Sequence, residues 1–185
     1  MASLSNFKSA LQYGGARPSL FDFQVYTPIS LTTVTGMTNT PLYCNVSSIP
    51  PLTVTPIEKQ YFGRTVKIPG DIVYGDLTTT FINTEDYQVR NGIEKWMDAI
   101  NKTTDNSGFA DNDSWIASAS LTQYSKDGLG LMTYDFWDIW PTTLTEIALS
   151  HDTASDIEQF DVTWAYNYYT SEGDSSGAVG ADTQD

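Results

Sequence analysis

A chain of 185 residues, 40% hydrophobic and 13% aromatic, is long enough to bury one real core and too apolar for a disordered acidic tail. Its formal net charge of −14 argues against free nucleic acid or an anionic membrane as a partner, unless its few cations cluster. The imbalance is local: no Lys or Arg follows Lys126, so the C-terminal third is purely acidic.

Residues 1–19 read as a short arm, with a brief helical turn around Phe7 to Leu11 that Gly14, Gly15 and Pro18 end. The arm lacks the apolar run of a signal peptide, and no apolar stretch approaches the roughly 20 residues that span a bilayer. Cys44 is the sole cysteine, which fits a reducing compartment. From Phe21 to Tyr26, Phe21, Phe23 and Val25 alternate with Asp22 and Gln24, the pattern of a half-buried strand. The stretch 29–69 is rich in Thr, Val, Ile and Pro. It offers four short strands, "LTTVTG", "LYCNVS", "LTVTPIEK" and "GRTVKI", and its prolines favour edges, turns and strand starts. "LTTTFIN" (Leu77 to Asn83) is the next strand, β-branched and alternating.

The period then changes. In "TEDYQVRNGIEKWMDAIN", Val89, Ile93, Trp96, Met97 and Ile100 share one helical face. Thr84 stands where an N-cap belongs, and Glu85 and Asp86 stand in the expected first turn. This predicts the one long helix, followed by a polar loop from Asn101 to Asp113. "WIASASLTQY", an Asp127-Gly128 turn and "LGLMTYDFWD" predict an antiparallel hairpin. A Trp140-Pro141 corner, a strand from Leu144 to Leu149 and a loop from Ser150 to Asp156 follow. One closing strand then alternates Phe160, Val162, Trp164, Tyr166 and Tyr168 with Asp161, Thr163, Ala165 and Asn167. Residues 170–185 have the composition of a flexible acidic tail. The expected fold is mainly β, an antiparallel β-sandwich or barrel with one flanking α-helix, in a single domain over residues 1–169.

Chemistry finds little to stand on. Acidic pairs for general acid–base work arise by chance among 23 carboxylates. His151, the only histidine, lies in a loop far along the chain from Cys44, and too few ligands exist for a His-based metal site. "DNSGFADND" lacks the spacing and closing Glu of an EF-hand, and no glycine-rich phosphate loop occurs. No catalytic, metal or cofactor-binding residue is therefore assigned. The aromatics Trp137, Trp140, Trp164, Tyr166, Tyr168 and Tyr169 allow two readings: a sugar-stacking platform, or a core face and subunit contact that continues the alternation of Phe160 and Val162.

The segment "WPTTLTEIALSHDTASDIEQFDVTWAYNYY" resembles the C-terminal signature of tail tube proteins of contractile-tailed, T-even-like bacteriophages. The matching positions are Trp140, Pro141, Thr142, Glu146, Leu149, Asp152, Ile157, Glu158, Phe160, Val162, Thr163 and Tyr168. "ARPSLFDFQV" (Ala16 to Val25) is similar to the family's lead into its first strand, and a strand followed by one amphipathic helix (Leu77 to Asn101) occurs at the corresponding place. The stretch 29–69 is longer and richer in Pro and Thr than the family pattern. The resemblance implies a protomer related in fold to type VI secretion tube proteins. Six protomers would form a ring, rings would stack into the inner tail tube, and strands of neighbours would join an inner barrel. It implies a virion protein assembled in the host cytoplasm, with no cofactor. Its partners would be itself, the tail sheath, the baseplate and neck or terminator proteins, and DNA would pass through the lumen without specific binding. Two further consequences are expected: some acids alternate along lumen-facing strands, and Trp96 and Met97 anchor the helix to the β body or to a neighbouring subunit. The competing readings are a carbohydrate-binding β-sandwich module, a two-acid glycoside hydrolase, and a tube-end or baseplate tube-like protein.

Overall fold

A computed structural model of the chain describes residues 4–11, 15–28, 36–105, 107–108, 114–152 and 156–173. The elements run α1 (Leu4–Ala10), β1 (Phe21–Tyr26), α2 (Thr40–Tyr43), β2 (Cys44–Ser47), β3 (Leu52–Tyr61), β4 (Arg64–Tyr74), β5 (Leu77–Ile82), α3 (Gln88–Ile100), β6 (Ala117–Tyr124), β7 (Gly130–Leu144), β8 (Gln159–Ala165) and β9 (Tyr168–Gly173). The expected strand "LTTVTG" lies outside the described residues.

All pairings are antiparallel, and β7 belongs to two layers. Its first part, Met132 to Trp137, sits between β6 and β9 in a layer ordered β1-β6-β7-β9. Its last part, Trp140 to Leu144, pairs with β8 in a layer ordered β7-β8-β5-β2. The two inner faces meet in a core of Phe23, Val25, Leu121 and Phe136 against Leu77, Phe81, Phe160, Val162 and Trp164. The Phe23 ring lies 6.2 Å from that of Trp164. β3 and β4 form a separate two-stranded sheet.

Of the two forms expected, the sandwich is the one that occurs: among the described residues the layers are not closed into a barrel, since β1 and β2 end their respective layers without pairing each other. The rim of β1 is instead occupied by the turn before β2. Val25 N–H donates to the Thr40 hydroxyl (3.2 Å), which donates on to Met37 C=O (2.9 Å).

The switch of β7 between layers explains a correction. Trp140-Pro141 is not a corner between strands but lies inside one long strand. The bend comes just before it, at Asp138, whose φ of 57° is uncommon for a non-glycine residue. Asp138 is the extra residue of a β-bulge, since Ser118 pairs with Trp137 and Ala117 with Ile139. Beyond Leu144 the chain is irregular, so the strand expected from Leu144 to Leu149 does not form. Thr145 still tethers it to β8, as Asp161 N–H donates to the Thr145 hydroxyl (2.8 Å).

The single closing strand also divides. Phe160, Val162 and Trp164 are buried as the alternation required, but β8 stops at Ala165 and β9 begins at Tyr168 in the other layer. Asn167 secures the crossing: its side-chain amide donates to the Asp138 carboxylate (2.8 Å) and its N–H to Trp137 C=O (3.1 Å). Strand structure thus continues to Gly173, past the Tyr169 boundary drawn for the tail.

The long helix starts later than expected. Thr84, Glu85 and Asp86 form a turn, with the Thr84 hydroxyl on the Asp86 carboxylate and Tyr87 N–H on Thr84 C=O (2.9 Å). α3 begins at Gln88 after Tyr87 adopts a left-handed φ of 51°. Its apolar face is the predicted one. Val89, Ile93 and Trp96 are buried, and Met97 and Ile100 pack partly against the core. Trp96 is fully buried, its ring 5.9 Å from that of Trp164, and its N–H donates to Trp115 C=O (2.7 Å). Among the described residues no helix is long and apolar enough to cross a membrane.

Candidate assembly surfaces

The β3–β4 hairpin is built as an isolated ribbon. Tyr61 pairs with Arg64 across Phe62-Gly63, both at positive φ (45° and 76°), the geometry of a tight two-residue hairpin turn. Halfway down, Pro56 faces Pro69, where neither can donate a ladder hydrogen bond. The register shifts there, and Gly70 lets the strands approach: a Cβ on it would sit 2.5 Å from Thr55 C=O. Beyond this point Glu58 and Lys67 pair across one face (3.1 Å), leaving Ile57, Ile68, Val66 and Tyr61 on the other. At the base an aromatic cluster fixes the ribbon to the body. The Tyr74 ring lies 6.0 Å from Tyr166 and 5.4 Å from Tyr169, and Tyr166 O–H donates to Gly75 C=O (2.6 Å). Burial, with Tyr169 and Asp76 nearby, pushes the Tyr166 phenol up to about 12.

Every residue from Pro51 to Pro69 is exposed, with Phe62 at the tip 91% exposed. Leu52, Val54, Ile57, Val66, Ile68, Ile72 and Val73 are each about half exposed. A lone two-stranded ribbon is marginal in water, and one with apolar groups on open display marks an interaction site. The ribbon also carries three cations, Lys59, Arg64 and Lys67, against two acids, Glu58 and Asp71, on a chain of net charge −14.

The outward face of the β1-β6-β7-β9 layer is the second surface, and its register reads in rows. Asp22, Thr122, Thr133 and Glu172 form one row, Gln24, Ser120, Asp135 and Thr170 the next, and Tyr26, Ser118, Trp137 and Tyr168 the third. Two rows are hydroxyls, amide and carboxylates, and none of the twelve positions is Lys or Arg. The Thr122 and Thr133 hydroxyls meet across the strands at 3.2 Å. Among the described residues β9 ends this layer, so its outer row of backbone groups is an open edge of the kind that pairs with another strand.

The residues weighed for chemistry do not converge. Of the six aromatics that suggested a sugar platform, Trp164 is buried, and Trp140, Tyr166 and Tyr169 pack against the core. Trp137 and Tyr168 alone are exposed, with stacked rings 6.3 Å apart. His151 is exposed after β7, whereas burial and the nearby Asp22 carboxylate push the Cys44 thiol up to about 12, unsuited to a nucleophile. Asp98 and Asp105 are each held below the ordinary carboxylate range by hydrogen bonds from Thr103 and Ser107, a loop-closing role at the end of α3. Among the described residues no group of His, Cys, Asp and Glu could hold a metal ion. Neither the ribbon's apolar display nor the open edge was visible in the sequence, because alternation reports which residues avoid water and not whether a second layer covers them.

Residues 16–172 match the family model described as phage tail tube protein. The chain is 26% identical over 157 residues to tail tube protein gp19 of Enterobacteria phage T4, covering 83% of this chain and 90% of that protein. It is 23% identical over 162 residues to the tail tube protein of Serratia phage KSP90, covering 86% and 92%. The fold is similar to a chain in a sheath–tube complex of an extracellular contractile injection system (TM-score 0.62, 17% identity, 94% of this chain and 99% of that one). It is likewise similar to a chain of the tube-terminating cap of the anti-feeding prophage (TM-score 0.64, 15% identity, 86% and 91%).

Proposed function

The chain belongs to the phage tail tube protein family, a structural protein of a contractile-tailed virion and not an enzyme, and we propose that it builds the inner tail tube as stacked rings of six copies. The observation that carries this reading is the β3–β4 ribbon, which displays apolar residues on a protomer whose own core is already complete. The ribbon of one copy lies on its neighbour in the ring. Its excess of cations suits an otherwise acidic partner, and its free edges suit the open edge of β9. Pairing them removes both edges and joins the layers of successive copies into one inner barrel, closing between protomers the sheet that each leaves open.

The outward face of the β1-β6-β7-β9 layer then lines the lumen. A wall cation that neutralises a phosphate releases counterions and adds affinity, so a conduit for DNA must avoid them. Asp22, Asp135 and Glu172 on hydroxyl-bearing strands give the opposite field. DNA passes through unbound, while the tail sheath covers the outside and baseplate and terminator proteins hold the two ends. Assembly takes place in the host cytoplasm.

Electron microscopy and sedimentation of the purified protein over a range of concentrations and salts test this. Hollow tubes of uniform bore are expected. Monomers persisting at high concentration would refute the reading, and rings that never stack would assign the chain to a tube end.

A further inference from the structure

The lumen-facing layer is polar in its middle rows and apolar at both ends. At one end stands the exposed aromatic row, Tyr26, Trp137 and Tyr168. At the other, six residues or roughly 20 Å along β7 from Trp137 to Leu131, the β6–β7 turn presents exposed Leu129 and Leu131. The N-terminal arm leaves from this second end, where Tyr124 N–H donates to Leu20 C=O (2.8 Å) and the Gln123 amide to Arg17 C=O (3.2 Å). Its helix α1 and the turn residue after it leave Leu4, Phe7 and Leu11 exposed at i, i+3 and i+7.

We propose that these ends are the two halves of a head-to-tail contact between copies of this chain in successive rings: the aromatic row of one ring receives Leu129, Leu131 and the Phe7 face of α1 from the next. The inference rests on the ring reading above. Barrel strands run from one opening to the other, so the two strand ends lie at opposite openings of a ring. Two different patches that fit each other make a heterologous contact, which repeats without limit as a tube requires, whereas a self-complementary patch pairs two rings and stops. Charge favours a second copy as occupant. Residues 1–21 contain Lys8 and Arg17 and no acid, and the Asp138 carboxylate stands next to Trp137 at the receiving end.

The test uses two full-length variants with exposed substitutions, Trp137→Ser with Tyr168→Ser and Leu129→Ser with Leu131→Ser, both checked for a wild-type melting temperature. Each alone is expected to give single rings and no tubes. Mixed in equal amounts, they should give paired rings and nothing longer, because only one intact contact remains. In a Cys44→Ser background, Leu131→Cys together with Tyr168→Cys should yield disulfide-linked ladders from oxidised tubes, and either alone only monomers. Tubes of wild-type length from either variant, paired rings from one variant alone, loss of the rings themselves, or absence of the ladder overturns the proposal. Failure of the wild-type chain to form rings is a separate result that removes the ring reading and this contact with it.

Discussion

Replacing Ile57 and Ile68 by Ser separates assembly from folding. The two residues face each other across the hairpin, each about half exposed, beyond the reach of the core. Fully burying an isoleucine side chain is worth about 1.5–3 kcal/mol, so covering the remaining half of each contributes about 1 kcal/mol to a subunit interface. Losing about 2 kcal/mol per interface raises the concentration needed for assembly roughly 30-fold, since each 1.4 kcal/mol is a factor of about ten. The protomer itself should be indifferent: surface changes away from special features fall within about 0.5 kcal/mol. The assay is a pair of measurements, critical concentration by sedimentation and urea unfolding of dilute monomer. An unchanged critical concentration would refute the ribbon as an assembly surface. A large loss of monomer stability would show that the ribbon packs on its own body.

Three other outcomes follow from specific contacts. Trp96→Ala removes a fully buried ring and leaves Trp115 C=O without its donor; it should destabilise the monomer by about 3–5 kcal/mol or more, read by urea unfolding, and a wild-type midpoint would place Trp96 outside the core. Asp135→Lys should turn assembled tubes into DNA binders whose affinity falls steeply with salt, by a log–log slope of about −0.9 per phosphate contact, while wild-type tubes bind weakly at low salt; equal binding by both would remove Asp135 from the lumen. Cys44, held at about 12 when folded, stays protonated at pH 9 while an unfolded thiol is partly ionised, so folded-state alkylation should be slower by on the order of a hundredfold. Because the folded pKa is raised, Cys44 also costs stability as pH rises through the unfolded value, and equal alkylation rates in urea and in buffer would contradict its burial.

Local pattern carried much of the fold because burial and period are short-range properties. Phe21 to Tyr26, Leu77 to Ile82 and the β6–β7 hairpin formed where alternation placed them, and the face of α3 was predicted residue by residue. Thr84 misled because its hydroxyl donates to the Asp86 carboxylate instead of accepting from a helix N–H, and its carbonyl closes a turn on Tyr87, whose left-handed backbone precedes the helix. The split of the closing stripe was hidden for a related reason. Tyr166 continues the alternation in sequence, yet besides Tyr74 and Gly75 it meets Phe136 and Tyr169 of the opposite layer (5.1 and 6.3 Å between rings), which only the crossing at Asn167 brings near. The assembly surfaces were least legible. Pro56 and Pro69 signalled edge strands correctly, but Ile57 and Ile68 read like any half-buried pair, since a partner in another molecule leaves the same apolar signal as a partner in the core.

The layer switch at Asp138 connects these surfaces to the core. With a regular register, β7 would keep one layer throughout, and β9 could not return beside its first half after β8 had paired with its second. Strand alternation puts Phe136 in the core and Trp137 in the aromatic row outside, and the bulge then shifts that alternation so that Ile139, three residues after Phe136, is buried as well. Asn167 makes the same turn on the returning chain and bonds to Asp138 through both side chains, so the two crossings hold each other. Replacing Asp138 by Gly relieves the left-handed backbone but breaks that bond, whereas replacing it by Asn keeps both the tolerated φ and a hydrogen-bonding side chain. Asp138→Asn should therefore leave tubes intact. Asp138→Val, with a β-branched residue at φ 57°, should loosen β9 and the aromatic row together, seen as faster amide exchange in Tyr168 to Gly173 and fewer stacked rings. Equal exchange in the Val and Asn variants would show that the crossing is set by the surrounding core and not by this pair.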